Sequence, residues 1–427
     1  MTVPPALFSS RPPPSSRPPR SAHPPAQPAR PASRGRGRPL AALRAVVWPT
    51  LAALLTSCAP YHYAIAPLGQ ASFEAYRRET DLWLRRERAF QRADHADELR
   101  WNGPAEWRPA GPARKGIVLF HGLGDSPWSF ADIGRALAER GFLVRAVLLP
   151  GHGTKPADLM NVNVDDWRRL VKEQVALLKQ AVPRIYLGGF STGANLAVEY
   201  AMDDPEVAGL LLFSPAFKAS LPFDWAMPLL SWARPWLHAP DASEAQQTPV
   251  RYLNVPTNGY TQYYYSSAGV RAKLAERAYD KPVLMVSAQH DALIDVDFVR
   301  RQFLSRFTHP ASRMIWYGEA PPGGAGSPRV LVRGDHLPRQ RISQFSHMGI
   351  LFSPHNPVYG SDGSQRYCWN GQDEAATRLC LDGAPVWYSD WGYQEAGKVH
   401  ARLTFNPYFD WQSGIMEQVL ADTPGAP

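Results

Sequence analysis

Ser191 stands inside Gly189-Phe190-Ser191-Thr192-Gly193, between a short apolar run, Arg184 to Gly188, and a helix-forming run, Ala194 to Tyr200. A serine on such a strand-to-helix turn is held at the tip of a sheet, its hydroxyl exposed, with a helix N-terminus just behind it. Glycines on either side suit a turn so tight that side chains there would meet the neighbouring strand and helix. The chemistry open to that serine is nucleophilic acyl transfer. It needs a base to take the hydroxyl proton, an acid to orient the base, and amide donors for the oxyanion. A Gly-rich turn with no chemistry is the plain alternative.

Gly116 to Phe120 reads as a buried strand and runs into His121-Gly122-Leu123-Gly124-Asp125-Ser126-Pro127. A second strand, Phe142 to Leu149, runs into Pro150-Gly151-His152-Gly153-Thr154. Together with Gly189 to Gly193, these segments resemble the α/β-hydrolase superfamily, in particular its serine esterases and monoacylglycerol-lipase-like enzymes. The resemblance covers roughly Arg114 to Met348. It implies an α/β fold, a mostly parallel sheet with helices on both faces, with an inserted cap over the site. It also implies that the Leu123 and Thr192 amides form the oxyanion hole, and that His121 and His152 are structural loop residues.

The resemblance further sets the order serine, acid, histidine. Asp291 closes the apolar run Pro282 to Ala288 and is the expected acid; Asp295, its competitor, also suits the N-cap of a helix beginning near Val296. His309, His336, His347, His355 and His400 lie downstream of Asp291. His347, in Phe345-Ser346-His347-Met348, best matches the base, with His336 the runner-up. The Asp291–His347 separation exceeds the family's usual one, and a loop around Pro321 to Gly326 accounts for it. No HExxH and no cysteine–histidine cluster is present, so neither metal nor cofactor is expected.

The N-terminus carries separate information. Residues 1–40 are dominated by Pro, Arg, Ser and Ala, a composition that cannot build a core. Arg44, the apolar stretch Ala45 to Leu55 and then Thr56-Ser57-Cys58 have the layout of a signal peptide. Cleavage before Cys58 resembles the lipobox of bacterial lipoproteins, making Cys58 the lipidated residue and placing the chain in the cell envelope, facing the periplasm. Ala59 fits delivery to an outer membrane. A buried cysteine behind a signal anchor is the alternative. The long Arg/Pro stretch reads as a start codon assigned too far upstream, or as a disordered extension.

Residues 1–57 hold eight arginines, no lysine and no acid; without them, Lys+Arg falls from 46 to 38 against Asp+Glu 38. The formal charge of +8 therefore belongs to the leader, and nucleic acid is excluded as a partner. Cys368 and Cys380 close a short loop and, in an exported chain, read as a disulfide.

The expected organisation is a leader over 1–57, an N-terminal helix and edge strands over 58–113, the hydrolase core over 114–355 with its cap at 217–280, and an aromatic-rich extension over 356–427. Within these, Ser72 to Asp97 reads as helix and Leu99 to Trp107 as edge strand or hairpin. Helices follow at Phe130 to Arg140, Val164 to Ala181 and Ala194 to Met202, and a last one near Gln412 to Ala421. Trp225, Trp232, Trp236, Tyr252 and Tyr260 to Tyr265 give the cap aromatic walls suited to an acyl chain, or simply pack it on the core. The expected function is a lipid-anchored serine hydrolase of carboxylic esters, acyl glycerols or small to medium acyl esters. The same scaffold admits an acyltransferase or a non-catalytic envelope binding protein. The oligomeric state is not legible.

Overall fold

From Lys115 to Tyr317 strands and helices alternate because apolar runs of five to seven residues are separated by segments of helical period. In this computed structural model, residues 65–242, 245–321 and 327–421 are described. Cys58, the leader over 1–57 and most of the Pro321–Gly326 loop lie outside the described residues. The chain divides into residues 1–61 and 62–427, and every described residue belongs to the second unit.

Eight strands form one sheet: β1 (Ala105–Trp107), β2 (Lys115–Phe120), β3 (Phe142–Val147), β4 (Arg184–Phe190), β5 (Val207–Phe213), β6 (Val283–Ala288), β7 (Arg313–Tyr317) and β8 (Val330–Arg333). Their order is β1-β3-β2-β4-β5-β6-β7-β8, and only β1 is antiparallel to its neighbour. Both faces are buried, so the central strands are apolar at nearly every position. Val118, Phe120, Leu210, Leu212, Val283 and Met285 enter one layer. Ile117, Leu119, Leu211, Phe213, Leu284 and Val286, offset by one residue, enter the other.

The first layer is covered by α1 (Phe73–Glu87), α4 (Val164–Lys179), α5 (Thr192–Ala201), α7 (Thr257–Glu276) and α8 (Val296–Arg306). Helix α4 starts in a capping box of Asn163 and Asp166 and buries Trp167, Leu170, Val171, Val175 and Leu178 on one stripe. The second layer is covered by α3 (Ala131–Glu139) and α10 (Phe409–Leu420). A short helix α6 (Met227–Ala233) lies between β5 and β6, and α9 (Glu374–Leu381), β9 (Trp387–Ser389) and β10 (His400–Arg402) follow β8.

Three expectations change. The run from Ser72 to Asp97 is not one helix, because α1 ends at Glu87 and residues 88–94 are not helical. Leu99 to Asn102 is helical, the end of α2 (His95–Asn102), and the edge strand is only Ala105–Trp107. Asp94 caps α2, accepting from the Ala96 amide, with Asp97 and Glu98 in the first turn; these local signals outweigh the strand-like spacing of Leu99 and Trp101. The segment after His347 is also more than an appended tail. Helix α10 packs on β6, β7 and α3, and Gln412 bonds the Tyr317 hydroxyl and the Ile350 carbonyl. Residues 349–408 therefore form an insertion ahead of the helix that completes this face of the sheet. Within it Cys368 and Cys380 are joined as a disulfide, their Cα atoms 5.7 Å apart.

Candidate active site

Between the end of β4 and the start of α5, Ser191 takes φ 55° and ψ −117°, a conformation a non-glycine residue adopts only when its surroundings impose it. The Ser191 amide donates to Phe213 O at 2.9 Å, and its carbonyl accepts from the Ala194 and Ala216 amides. A Cβ at Gly189 would lie 2.2 Å from the Gly193 carbonyl carbon, and one at Gly193 would lie 1.8 Å from Phe120 O. These contacts are with backbone, which cannot swing away. Both glycines are steric requirements of the turn, and Ser191 itself remains partly exposed.

Sheet register brings the second loop alongside. Phe120 pairs with Gly189, so the chain leaving β2 passes Ser191, and a Cβ at Gly122 would stand 3.2 Å from the Ser191 Cβ. β2 turns toward β3 and β4 toward β5, the strand-order reversal at which open α/β sheets form a crevice. Among the described residues, neither the Leu123 nor the Thr192 amide donates to a protein acceptor. His121 and His152 hold this loop in place. His121 Nε2 accepts from the Leu149 amide and His152 Nε2 from the Gly124 amide, each at 3.0 Å. Burial pushes His121 down to about 4; burial, and then the neighbouring His121, push His152 down to about 3. Both are neutral near pH 7, as acceptance through Nε2 requires.

Asp291 lies three residues past β6. Its Oδ1 accepts from the Leu293 amide at 2.9 Å, and its Oδ2 lies 2.6 Å from His347 Nδ1. Both side chains are buried. The His347 ring packs on Phe190, with centroids 4.9 Å apart, so the imidazole adjoins the residue before Ser191. With Nδ1 engaged by Asp291, Nε2 is the nitrogen left for a proton acceptor role. Ser214, at φ 40° past β5, donates from its hydroxyl to the His347 carbonyl at 2.8 Å.

The competing residues lie in other settings. Asp295 caps α8 by accepting from the Phe298 amide and pairs with Lys218 at 2.8 Å. His336 is exposed, with Nδ1 3.1 Å from Ser343 O, and His309 Nδ1 accepts from the Ala311 amide. His355 is exposed, and His400 Nε2 accepts from the Glu395 amide.

The sheet order, the imposed conformation of Ser191 and the Asp291–His347 contact decide the architecture. The fold is that of the α/β-hydrolases. Residues 111–320 match the family described as serine aminopeptidase, S33. The thermostable monoacylglycerol lipase of Bacillus sp. (strain H-257) is 29% identical over 165 residues, 37% of this chain and 64% of that protein. A carboxylesterase of Bacillus subtilis (strain 168) is 23% identical over 186 residues, 43% of this chain and 74% of that one. The solved monoacylglycerol lipase of Paleococcus ferrophilus is 17% identical, covering 61% of this chain and 93% of its own, with a TM-score of 0.42. The chain thus spans less than two thirds of the length of the Bacillus lipase. The matched family stretch includes Ser191 and Asp291 and stops before His347.

In this fold the segment expected as the cap is tied to the loops that follow β2 and β3. The Tyr252 amide donates to Gly124 O at 2.7 Å, and the Tyr252 hydroxyl accepts from the Thr154 amide and donates to Gly151 O. Only part of the expected aromatic wall faces inward: Tyr252 is buried and Tyr260 and Tyr263 half-buried, whereas Trp225 and Trp232 are exposed. A cleft of about 900 Å³ lies elsewhere, between α1, α2 and β1, and none of Ser191, Asp291 and His347 lines it. Two residues near Asp291 and His347 had no signal in the sequence, Ser214 and Asp390. The Asp390 carboxylate is buried and accepts from the Ala292 amide at 2.6 Å. Neither belongs to a motif, and Asp390 is brought in from the distant insertion.

Proposed function

We propose that the chain is a serine hydrolase of carboxylic esters, in which Ser191 is the nucleophile, His347 the base and Asp291 the acid. The observation that carries this reading is the conjunction of a serine in an imposed positive-φ conformation with a buried Asp291–His347 contact of 2.6 Å packed against Phe190. The two Bacillus relatives, named as a monoacylglycerol lipase and a carboxylesterase, favour ester over amide bonds.

In this mechanism His347 Nε2 takes the Ser191 hydroxyl proton as Oγ attacks the ester carbonyl. Asp291 holds the imidazole in the Nδ1–H tautomer and stabilises the imidazolium, without itself taking the proton. The Leu123 and Thr192 amides donate to the oxyanion, each worth roughly 3 kcal/mol in the transition state. The imidazolium returns its proton to the leaving alcohol. Water, activated by the same histidine, then releases the acid and frees Ser191.

Acyl glycerols or small to medium acyl esters are the proposed substrates, handled at a membrane to which a lipidated Cys58 attaches the chain on the periplasmic side. The cap supports a lipid setting: Leu221, Phe223, Trp225, Leu229 and Trp232 are all more than 60% exposed within a dozen residues. The test is a panel of p-nitrophenyl and monoacylglycerol esters of increasing chain length, with Ser191→Ala as control. Hydrolysis lost in the variant is expected; turnover of none of them by the unaltered chain overturns the reading. For the anchor, fatty-acid labelling abolished by Cys58→Ser is expected, and labelling that persists overturns it.

A further inference from the structure

Asp390 lies at the C-terminal end of β9, in the insertion between the His347 loop and α10. It is 1% exposed, and no lysine or arginine forms an ion pair with it among the described residues. Its Oδ2 accepts from the Ala292 amide at 2.6 Å and its Oδ1 from the His347 amide at 3.4 Å. Ala292 directly follows Asp291, so one carboxylate holds the backbone of both the acid loop and the base loop.

A network inside the insertion holds the Asp390 backbone. The Ser389 hydroxyl donates to Asp390 O, Asn370 Nδ2 donates to the Ser389 hydroxyl at 2.8 Å, and Arg402 Nε donates to Asn370 Oδ1 at 2.7 Å. Asn370 lies two residues past Cys368, whose disulfide to Cys380 ties the segment to α9. The placement is costly: burial, and then the Asp291 charge, hold Asp390 up at about 6. A buried carboxylate next to another carboxylate is unfavourable to maintain, and such arrangements cluster at functional sites.

Resting on the serine-hydrolase reading above, we propose that Asp390 is a positioning residue. Its two carboxylate oxygens clamp the Ala292 and His347 amides and so set the Asp291–His347 geometry. The inserted β9–β10 segment is the support that presents it. The charged or titratable groups facing it are Asp291 and His290 from the β6 loop, His347 from the base loop and Arg402 from β10.

The experiment uses the full chain and follows kcat and KM for p-nitrophenyl butyrate, with fluorophosphonate labelling rates alongside. Asp390→Ala is expected to lower kcat about ten-fold or more, with KM changed by less than about three-fold, since loosened loops affect the transition state more than binding. In Asp390→Ala the fluorophosphonate labelling rate is expected to fall in step with kcat. A purely structural role would lower kcat only through the folded fraction and leave the labelling rate of the folded enzyme in place. If Asp390→Ala does not fold, Asn370→Ala, which loosens Ser389 and keeps the carboxylate, lowers kcat with KM held; unchanged kcat there counts against the proposal. Variants within about two-fold of the parent in both kcat and labelling rate overturn it. An unaltered chain that neither hydrolyses nor labels takes both readings down; an active chain indifferent to Asp390 takes down this one alone.

Discussion

Replacing Asp291 by asparagine leaves shape and volume in place and alters the charge and what the two side-chain atoms can donate or accept. In the parent, Oδ1 accepts from the Leu293 amide at 2.9 Å and Oδ2 faces His347 Nδ1 at 2.6 Å. An asparagine must give one position to NH2. Turned toward Leu293, the NH2 group would face another N–H in a buried setting, leaving two unmet donors at about 1–3 kcal/mol each. The new side-chain oxygen therefore stays on the Leu293 amide and the NH2 faces His347. That orientation requires an unprotonated Nδ1 and hence Nε2–H, the tautomer that cannot take the Ser191 proton. The equivalent substitution in the best-studied serine triad costs about 10⁴-fold in kcat, and a loss of that order is expected here. The assay is kcat for p-nitrophenyl butyrate, read with urea unfolding. Stability should hold, because the substitution removes the repulsion between Asp291 and Asp390. A kcat loss under about ten-fold, in a protein shown to be folded, refutes the triad argument.

Other consequences follow from the same geometry. Gly193→Ala puts a Cβ 1.8 Å from Phe120 O, a clash only backbone movement can relieve. A loss of about 3 kcal/mol or more, or no soluble protein, is expected in urea titrations, and parent-like stability contradicts the packing described. His121 and His152 carry folded-state values of about 4 and about 3, below the ordinary 6.5 of the unfolded chain. Their contribution is therefore complete above pH 6.5 and is lost as pH falls toward those values, about 2 kcal/mol for each at pH 5. Unfolding free energies that do not fall between pH 7.5 and pH 5 refute this. Arg88 and Glu98 form an ion pair with side chains 1% and 0% exposed, and Arg88 also donates to Gly153 O and Pro249 O. Glu98→Ala strands that guanidinium, and a loss of about 3–5 kcal/mol is expected by denaturation.

What the sequence made legible is what short-range sterics dictate. The Gly-x-Ser-x-Gly turn could be read because Gly189 and Gly193 have no alternative where a Cβ meets backbone. The strand runs could be read because a sheet buried on both faces demands continuous apolar segments. The structure brings Asp291 to His347 and leaves Asp295 capping α8, a division that the N-cap position had suggested. At α2, the spacing of Leu99 and Trp101 suits a strand, while the Asp94 cap and the acidic first turn point the other way. Ser214 and Asp390 had no local signature at all. Asp390 meets Ala292 across 98 positions, through a carboxylate bonded to backbone amides, and amides are the same at every residue. The final helix was expected, but not its place on β6 and β7, because an insertion between His347 and α10 hides the continuity of that face.

The most direct test of the central claim is to label the full chain with a fluorophosphonate and map the modified residue by peptide mass spectrometry. The account predicts a single adduct on Ser191, formed rapidly in the parent and slowed by His347→Ala. An adduct on another residue, or no adduct on a folded chain, would contradict it.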